Sequence, residues 1–339
     1  MSRFARLLFP VAAATLSVGG IAQSSLRSWA HGLVFDSDIN TLPIVAIESV
    51  GDSLTAALAA DGRVYVFGNV YYDWAPEAPS GTAYLGVSFS DNYMGNASMY
   101  LLLGDGSVLP HGPHAYPAPV LPADLTYTRI EAGGNHALAE RSDGVVVGWD
   151  AGGSIALPTI PPGVSVVKMH AGNVETLLLL SNGKIVGLGN GLHGLTNVPA
   201  LPVGVTYVDM WPGMMHVLAK RSDGVFVAWG DNSFGQCNVI QPPLGTTYTA
   251  MAAGYYHSVA ARSDGVLVSW GTPMFGAAPA IPVGLQCVQL SANRFGTAAL
   301  LSDWTVRAWG PRTHTPPPAL PQNERWFGLG MGSTFAVGL

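Results

Sequence analysis

Charge is scarce in this chain. Only 11% of its 339 residues are Asp, Glu, Lys or Arg, less than half of the roughly 25% usual in soluble domains. The shortage falls hardest on the basic side, with 15 Lys and Arg against 21 Asp and Glu. Clustered cations supply most of the affinity for a phosphate backbone, so a nucleic-acid partner is disfavoured. Cysteine is nearly absent. Two residues, Cys237 and Cys287, cannot build a cystine scaffold, and neither sits in a CxxC-type metal pattern. A single Cys237–Cys287 bridge and two small buried thiols are both compatible with the sequence. Disorder is excluded from the other side: 48% hydrophobic and 9% aromatic residues offer enough apolar surface to offset the entropy of ordering. Long helices are excluded by 42 Gly and 25 Pro, which interrupt the chain every few residues. What remains is a protein of many short strands and turns.

Long apolar runs are also missing after the first 22 residues, so no membrane span is expected in the mature chain. Residues 1–22 read as a secretory signal peptide. Arg3 and Arg6 form its basic start, LLFPVAAATLSVGG its apolar stretch, and Gly20-Ile21-Ala22 a cleavage site of small residues. Removing it takes two arginines and shifts the net charge from −6 to −8. The expected location is secreted, periplasmic or at the cell envelope, with residues 23–339 forming one domain.

Internal repetition decides the fold class. HALAERSDGVVVGWD from His136, HVLAKRSDGVFVAWGD from His216 and HSVAARSDGVLVSWGT from His257 are three copies of one unit. Aligned on the acidic turn, the copies fall at Asp61, Asp105, Asp143, Asn182, Asp223, Asp264 and Asp303, with spacings of 44, 38, 39, 41, 41 and 39 residues. Six residues beyond each turn lies a bulky position, filled by Phe67, His111, Trp149, Leu188, Trp229, Trp270 and Trp309. Alternating apolar and polar residues on both sides of Asp-Gly predict a hairpin with a two-residue turn. A Pro-containing linker and another alternating run, such as Val205, Tyr207 and Asp209, complete a unit of three or four strands.

A sheet this small cannot bury both faces alone, so copies must stack. An all-β propeller of blades of about 40 residues follows. The ends of the chain add a detail. LRSWAHG around Trp29 is an outer-type strand without an inner partner, and GSTFAVGL at the C-terminus is an inner-type strand without an outer one. Residues around Leu26–Ala30 are therefore expected to pair with those around Ser333–Leu339 and close the ring as a split blade. Seven complete units and one shared unit give eight blades, with seven as the alternative.

At these residues the sequence resembles the regulator of chromosome condensation repeat family. GMMHVLAKRSDGVFVAWGDNSFGQ, from Gly213 to Gln236, follows the family pattern closely, and the units with His111 and Leu188 follow it loosely. The resemblance covers roughly residues 26–339 and implies a β-propeller, usually of seven blades, that works as a protein-interaction surface. The short unit and the signal peptide are more similar to the bacterial secreted branch, which includes the β-lactamase inhibitor protein II, than to the nuclear exchange factor. Nucleotide exchange and chromatin binding do not carry over to an exported acidic chain.

Repetition also separates scaffold from function, because a residue type found in most units at one position serves the unit. Asp143, Asp223 and Asp264 are read as turn residues. Trp149, Trp229, Trp270 and Trp309 are read as packing between blades. His136, His216 and His257 share one position and are read as structural histidines bonded to backbone. No catalytic motif appears, no metal or cofactor is expected, and His111-Gly-Pro-His114 lacks a partner that would make it a metal site. The loop before the histidine position varies instead, reading Met214-Met215, Tyr255-Tyr256 and Arg294-Phe295 in successive units, with Trp211 close by. These residues, with Tyr71, Tyr72 and Trp74 of another loop, are candidates for a protein-binding surface, since aromatics, Met and Arg dominate interface hot spots. The expected function is a non-enzymatic, monomeric protein-binding module. A carbohydrate-active or other cell-envelope hydrolase or lyase is the alternative, and a close pair of carboxylates or a histidine-carboxylate cluster at the axial mouth, without equivalents in other blades, is the feature that would favour it.

Overall fold

The computed structural model describes residues 27–29, 44–50, 54–59, 61–68, 76–90, 98–294, 296–303, 305–311, 329–331 and 336–338. Residues 1–22, expected to be a signal peptide, lie outside these residues. The chain enters on β1 (Arg27–Trp29). A first sheet joins β2 (Ile44–Val50), β3 (Leu54–Ala59) and β4 (Val64–Gly68), and a second joins β5 (Tyr84–Ser90), β6 (Ser98–Leu103) and β7 (Val108–His111). The third holds β8 (Tyr127–Ala132), β9 (His136–Arg141), β10 (Val146–Asp150) and a short fourth strand, β11 (Gly153–Ile155). Next come β12 (Val166–Ala171), β13 (Glu175–Leu180) and β14 (Ile185–Gly189), then β15 (Tyr207–Pro212), β16 (His216–Arg221) and β17 (Phe226–Gly230). The sixth sheet is β18 (Tyr248–Ala253), β19 (His257–Arg262) and β20 (Leu267–Gly271), and the seventh β21 (Cys287–Ala292), β22 (Thr297–Leu301) and β23 (Val306–Trp309).

The last two strands, β24 (Leu329–Met331) and β25 (Ala336–Gly338), take β1 as their third, in the order β1-β25-β24. Arg27 stands opposite Gly338, Ser28 opposite Val337 and Trp29 opposite Ala336. The two ends of the chain share a sheet. Eight antiparallel sheets result among the described residues. Each touches the first strand of the next, and β24 touches both β21 and β2, so the series closes into a ring. The fold is a β-propeller.

Two expectations about the unit need correction. The strand before the acidic turn is the middle strand, and the strand nearest the axis is the one after the Pro linker, as β15-β16-β17 shows. The chain therefore ends on a middle strand. The turn also differs from a two-residue turn. Arg141 N donates to Val145 O at 2.9 Å and Gly144 N to Arg141 O at 2.8 Å, leaving Ser142, Asp143 and Gly144 as a three-residue loop. Only the glycine takes a positive φ, 82° at Gly144. This is a type I turn closed by a glycine bulge, which demands Gly at one place and leaves the aspartate in ordinary backbone.

The aspartate earns its position through its side chain. In all seven turns the Oδ1 atom accepts the backbone N–H two residues on, at 2.9 to 3.4 Å, the local bond that makes Asp and Asn turn formers. The serine before it ties the turn to the next strand: Ser142, Ser181, Ser222, Ser263 and Ser302 each accept an N–H from the residue just before an inner strand. At the start of that strand, the hydroxyls of Tyr84, Tyr127, Tyr207 and Tyr248 donate to a linker carbonyl eight residues back. The tyrosines thus pin the Pro linkers.

The core sits in the seams between sheets. Tyr100 and Leu102 of the second sheet pack with Tyr127, Ala137, Ala139 and Trp149 of the third. The same pattern joins Leu177 and Leu179 to Met210, Val217 and Trp229, and Leu218 and Phe226 to Met251, Ala260 and Trp270. Truncating any of these tryptophans to Ala would cost about 3–5 kcal/mol. Deleting residues 326–339 removes the shared sheet and exposes two seams, and is expected to lower the melting temperature by at least about 10 °C. An unchanged melting temperature would show that the ring does not depend on that closure.

Candidate functional site

The repeated residues form one network. His136 Nε2 lies 2.8 Å from Thr176 Oγ1, His216 Nε2 2.7 Å from Ser258 Oγ and His257 Nε2 2.7 Å from Thr297 Oγ1. Each histidine reaches a hydroxyl on the middle strand of the following sheet, where a bond to backbone was expected. Ser258 also donates its single hydroxyl proton to Gln236 O at 2.8 Å, so His216 must carry its proton on Nε2 and donate to Ser258. Trp270 Nε1 donates to the same carbonyl at 2.9 Å. Trp149 and Trp229 donate likewise to Tyr116 O and Leu195 O. Trp309 is buried in the seam between the sixth and seventh sheets. Arg141, Arg221 and Arg262 pair with Asp143, Asp223 and Asp264 at the exposed turns.

Burial pushes the histidine pKa values down, to about 4 for His136 and His216 and to about 3 for His257. The thiols are free, and burial raises them to about 11 at Cys237 and about 12 at Cys287, far from reactive thiolates. Among the described residues no group of three or more His, Cys, Asp or Glu could hold a metal ion.

The variable loops gather at the other end of the ring from the acidic turns. Asp231 N donates to Met215 O, Thr272 N to Tyr256 O and Asn190 N to Val174 O, so the loops before the middle strands and those after the outer strands lie side by side. Tyr255 and Tyr256 meet edge-to-face at 5.9 Å, and Arg294 lies over the Tyr255 ring at 5.6 Å. Phe234, which the sequence reading passed over, completes the row at 5.2 Å from Tyr256. The row crosses three sheets. Phe234 is 49% exposed, and Leu192 and Met274, from the equivalent loops on either side, are 48% and 71% exposed. Tyr255 is buried beneath, while Tyr256, Met214, Met215, Trp211 and Arg294 are half-buried. Tyr71, Tyr72, Trp74 and Phe295 lie outside the described residues.

The loop that presents Phe234 is held rigidly. Ser233 N and Oγ and Gln236 Nε2 converge on the Asp231 carboxylate, Phe234 N donates to Gln236 Oε1 at 2.9 Å, and Cys237 N to Asn232 Oδ1 at 2.8 Å. Gly235 takes the positive φ of 82° that lets the chain turn under the ring. In the adjoining loop His193 sits at φ 58°, the one non-glycine residue with positive φ among those described. Such strain gathers where a surface is shaped for contact.

The structure places Trp211 elsewhere, on inner strand β15, where it lines a cavity of about 360 Å³ between the inner strands of five successive sheets. Around it stand Glu131, Lys168 and His170. His170 Nδ1 is 3.7 Å from Glu131 Oε1. Lys168 pairs with Asp209, donates to Met210 O at 3.3 Å and lies 5.5 Å from the Trp211 ring centre. Arg129 pairs with Glu140 at 2.6 Å and reaches the carbonyls of Val166 and Val167. The sequence held a signal for this site. The fourth residue of each inner strand is uniformly apolar, from Ile47 to Leu290, whereas the fifth is Glu48, Ser88, Glu131, His170, Trp211, Ala252 and Ser291 in turn.

No family model matches the chain, and no curated protein matches it in sequence. Solved structures do. Yeast Prp20p, whose binding to Gsp1p and histones has been characterised, matches with TM-score 0.58 at 17% identity over 94% of this chain and 92% of its own. The CRINKLY WD40 ectodomain of the receptor kinase ACR4 from Arabidopsis thaliana matches at 0.54 with 19% identity over 81% and 98%. Human WBSCR16 matches at 0.55 with 14% identity over 88% and 87%. Prp20 is yeast RCC1, so the likeness is to an RCC1-type propeller in fold.

The buried histidines set an acid limit on this scaffold. An unfolded histidine titrates near 6.5, so between about pH 6.5 and 4 the unfolded chain binds protons that the folded chain refuses. Stability is fully present above that window and falls as pH drops through it, by several kcal/mol in all. Melting temperature is expected to be level from pH 9 to 7 and to decline below about pH 6.5, with His216→Gln and His257→Gln together flattening the decline. A melting temperature that stays level down to pH 4 would contradict neutral, buried imidazoles.

Proposed function

We propose that this chain is an exported, non-enzymatic eight-bladed propeller that binds a protein partner through the loop face running from Leu192 to Arg294. One observation carries the reading: an aromatic row, Phe234–Tyr256–Tyr255–Arg294, crosses three blades on loops fixed by their own hydrogen bonds. Rigid, half-exposed aromatics pay little ordering entropy on binding and are the anchors from which interfaces draw most of their energy. The RCC1-type neighbour Prp20p, which binds Gsp1p and histones, supports the use of this fold for protein contacts. Export rests on the N-terminal segment, and the acidic charge of the mature chain argues against nucleic acid as partner. The chain is read as a monomer resembling the bacterial secreted branch of the family.

An envelope enzyme is the second reading, and the His170–Glu131 pair at the axial cavity favours it. That pair has no equivalent between the inner strands of the flanking sheets, where Ser88 and Trp211 take the same position. The described lining adds no second carboxylate, and its one hydroxyl, Ser291, stands three sheets away from His170, so binding is the primary reading.

Replacing Phe234 by Ser, Tyr256 by Ala and Met274 by Ser together is expected to abolish capture of a specific partner from the native secretome or envelope extract, with an unchanged melting temperature. Undiminished capture by the triple variant would refute the loop face.

A further inference from the structure

The axial cavity differs from the loop face in chemistry. Its volume of about 360 Å³ falls within the range of small-molecule sites. Its fifth-position residues change from blade to blade, as do third-position ones such as Arg129, Lys168 and Asp209, whereas the fourth position stays apolar. Glu131, His170, Trp211, Ala252 and Ser291 all reach it from the same register position of successive strands. A purely structural plug would need no such variety.

The charges cancel in pairs. Lys168 is paired with Asp209, so its ammonium is not free to hold an anion, and the Glu131 carboxylate faces the His170 ring. At 3.7 Å the Nδ1 and Oε1 atoms stand beyond ordinary hydrogen-bond distance. When Nδ1 carries a proton, a group placed against both donates to the carboxylate and accepts from that imidazole N–H. A hydroxyl does both; an ammonium only donates and a carboxylate only accepts. Trp211, in the next strand, contributes an aromatic surface, and Ser291 a further hydroxyl. Closely set hydroxyls on an apolar ring of C–H bonds describe a sugar.

We propose that the axial cavity binds a neutral saccharide of mono- to disaccharide size, with one hydroxyl bridging Glu131 and His170 and a C–H face against Trp211. The site is a binding site, independent of the loop face and of any partner held there. The probe is a panel of glucose, N-acetylglucosamine, cellobiose and trehalose, with glucuronate and glucosamine as charged counterparts, titrated calorimetrically into the full mature chain without any protein partner. At least one neutral sugar should bind saturably at millimolar or lower concentration and more tightly than its charged counterpart. His170→Ala should weaken it by about ten-fold or more. Glu131→Gln, which keeps the volume of the lining, and Trp211→Phe, which keeps an aromatic ring in a smaller side chain, should weaken it with the melting temperature unchanged, and the Phe234→Ser variant should bind as the parent does. Absence of saturable binding across the neutral panel, tighter binding of glucuronate or glucosamine, or affinity unchanged in all three cavity variants would overturn the assignment.

Discussion

Each sheet in this protein can bury its faces only against the sheets on either side, and everything else follows from that dependence. The core is a set of seams, each holding side chains from two consecutive sheets. A single unit therefore has no interior of its own. The ring has to close, and the pairing of Arg27–Trp29 with Ala336–Gly338 closes it with the two ends of one chain. The seams are joined by polar bonds as well as by packing. A histidine on one middle strand meets a hydroxyl on the next, and a tryptophan meets a linker carbonyl, so buried polar groups are satisfied across the same boundary that buries the apolar ones.

This arrangement explains the composition. Few charges are present because most side chains either enter a seam or sit in a turn, and many of the described charges occur as pairs, as at Arg141 with Asp143 and Lys168 with Asp209. Glycine recurs because the bulged turn takes one positive φ in six of the seven hairpins, from Gly62 to Gly265, Trp304 standing at that place in the seventh. Once those duties are met, two kinds of place are left free to differ between units: the loops at one end of the ring and the inner strand at its third and fifth residues. Those are the two places where recognition has been assigned.

Much of the fold was legible because its signals are local. The Asp-Gly turn, the tryptophan six residues on and the period of about 40 residues are patterns within one hairpin or one unit. The split sheet was legible because a missing strand at each end is also a sequence pattern. What escaped depends on contacts between units. His216 was expected to bond backbone, since its real partner, Ser258, lies 42 residues away on another strand. A trace of that contact is nevertheless present: histidine stands at 136, 216 and 257, where the following middle strand offers Thr176, Ser258 and Thr297. Glu175 stands instead where the next offers Val217, and Ser98 where it offers Ala137. On the loop face, Tyr255, Tyr256 and Arg294 were found by their variation, but Phe234 was hidden inside a segment that matched the family pattern. Trp211 was grouped with that face by sequence proximity, although strand direction turns it toward the axis.

The central claim is that repeated residues build the ring and residues placed once carry recognition. A saturation-mutagenesis scan of the mature chain, read by protease resistance, tests this most directly. The account predicts steep losses of resistance at the seam tryptophans, the histidine–hydroxyl pairs and the turn glycines, and near-neutral effects at Leu192, Phe234, Met274 and His170. Comparable losses at both groups would contradict it, because the variable positions would then be scaffold as well.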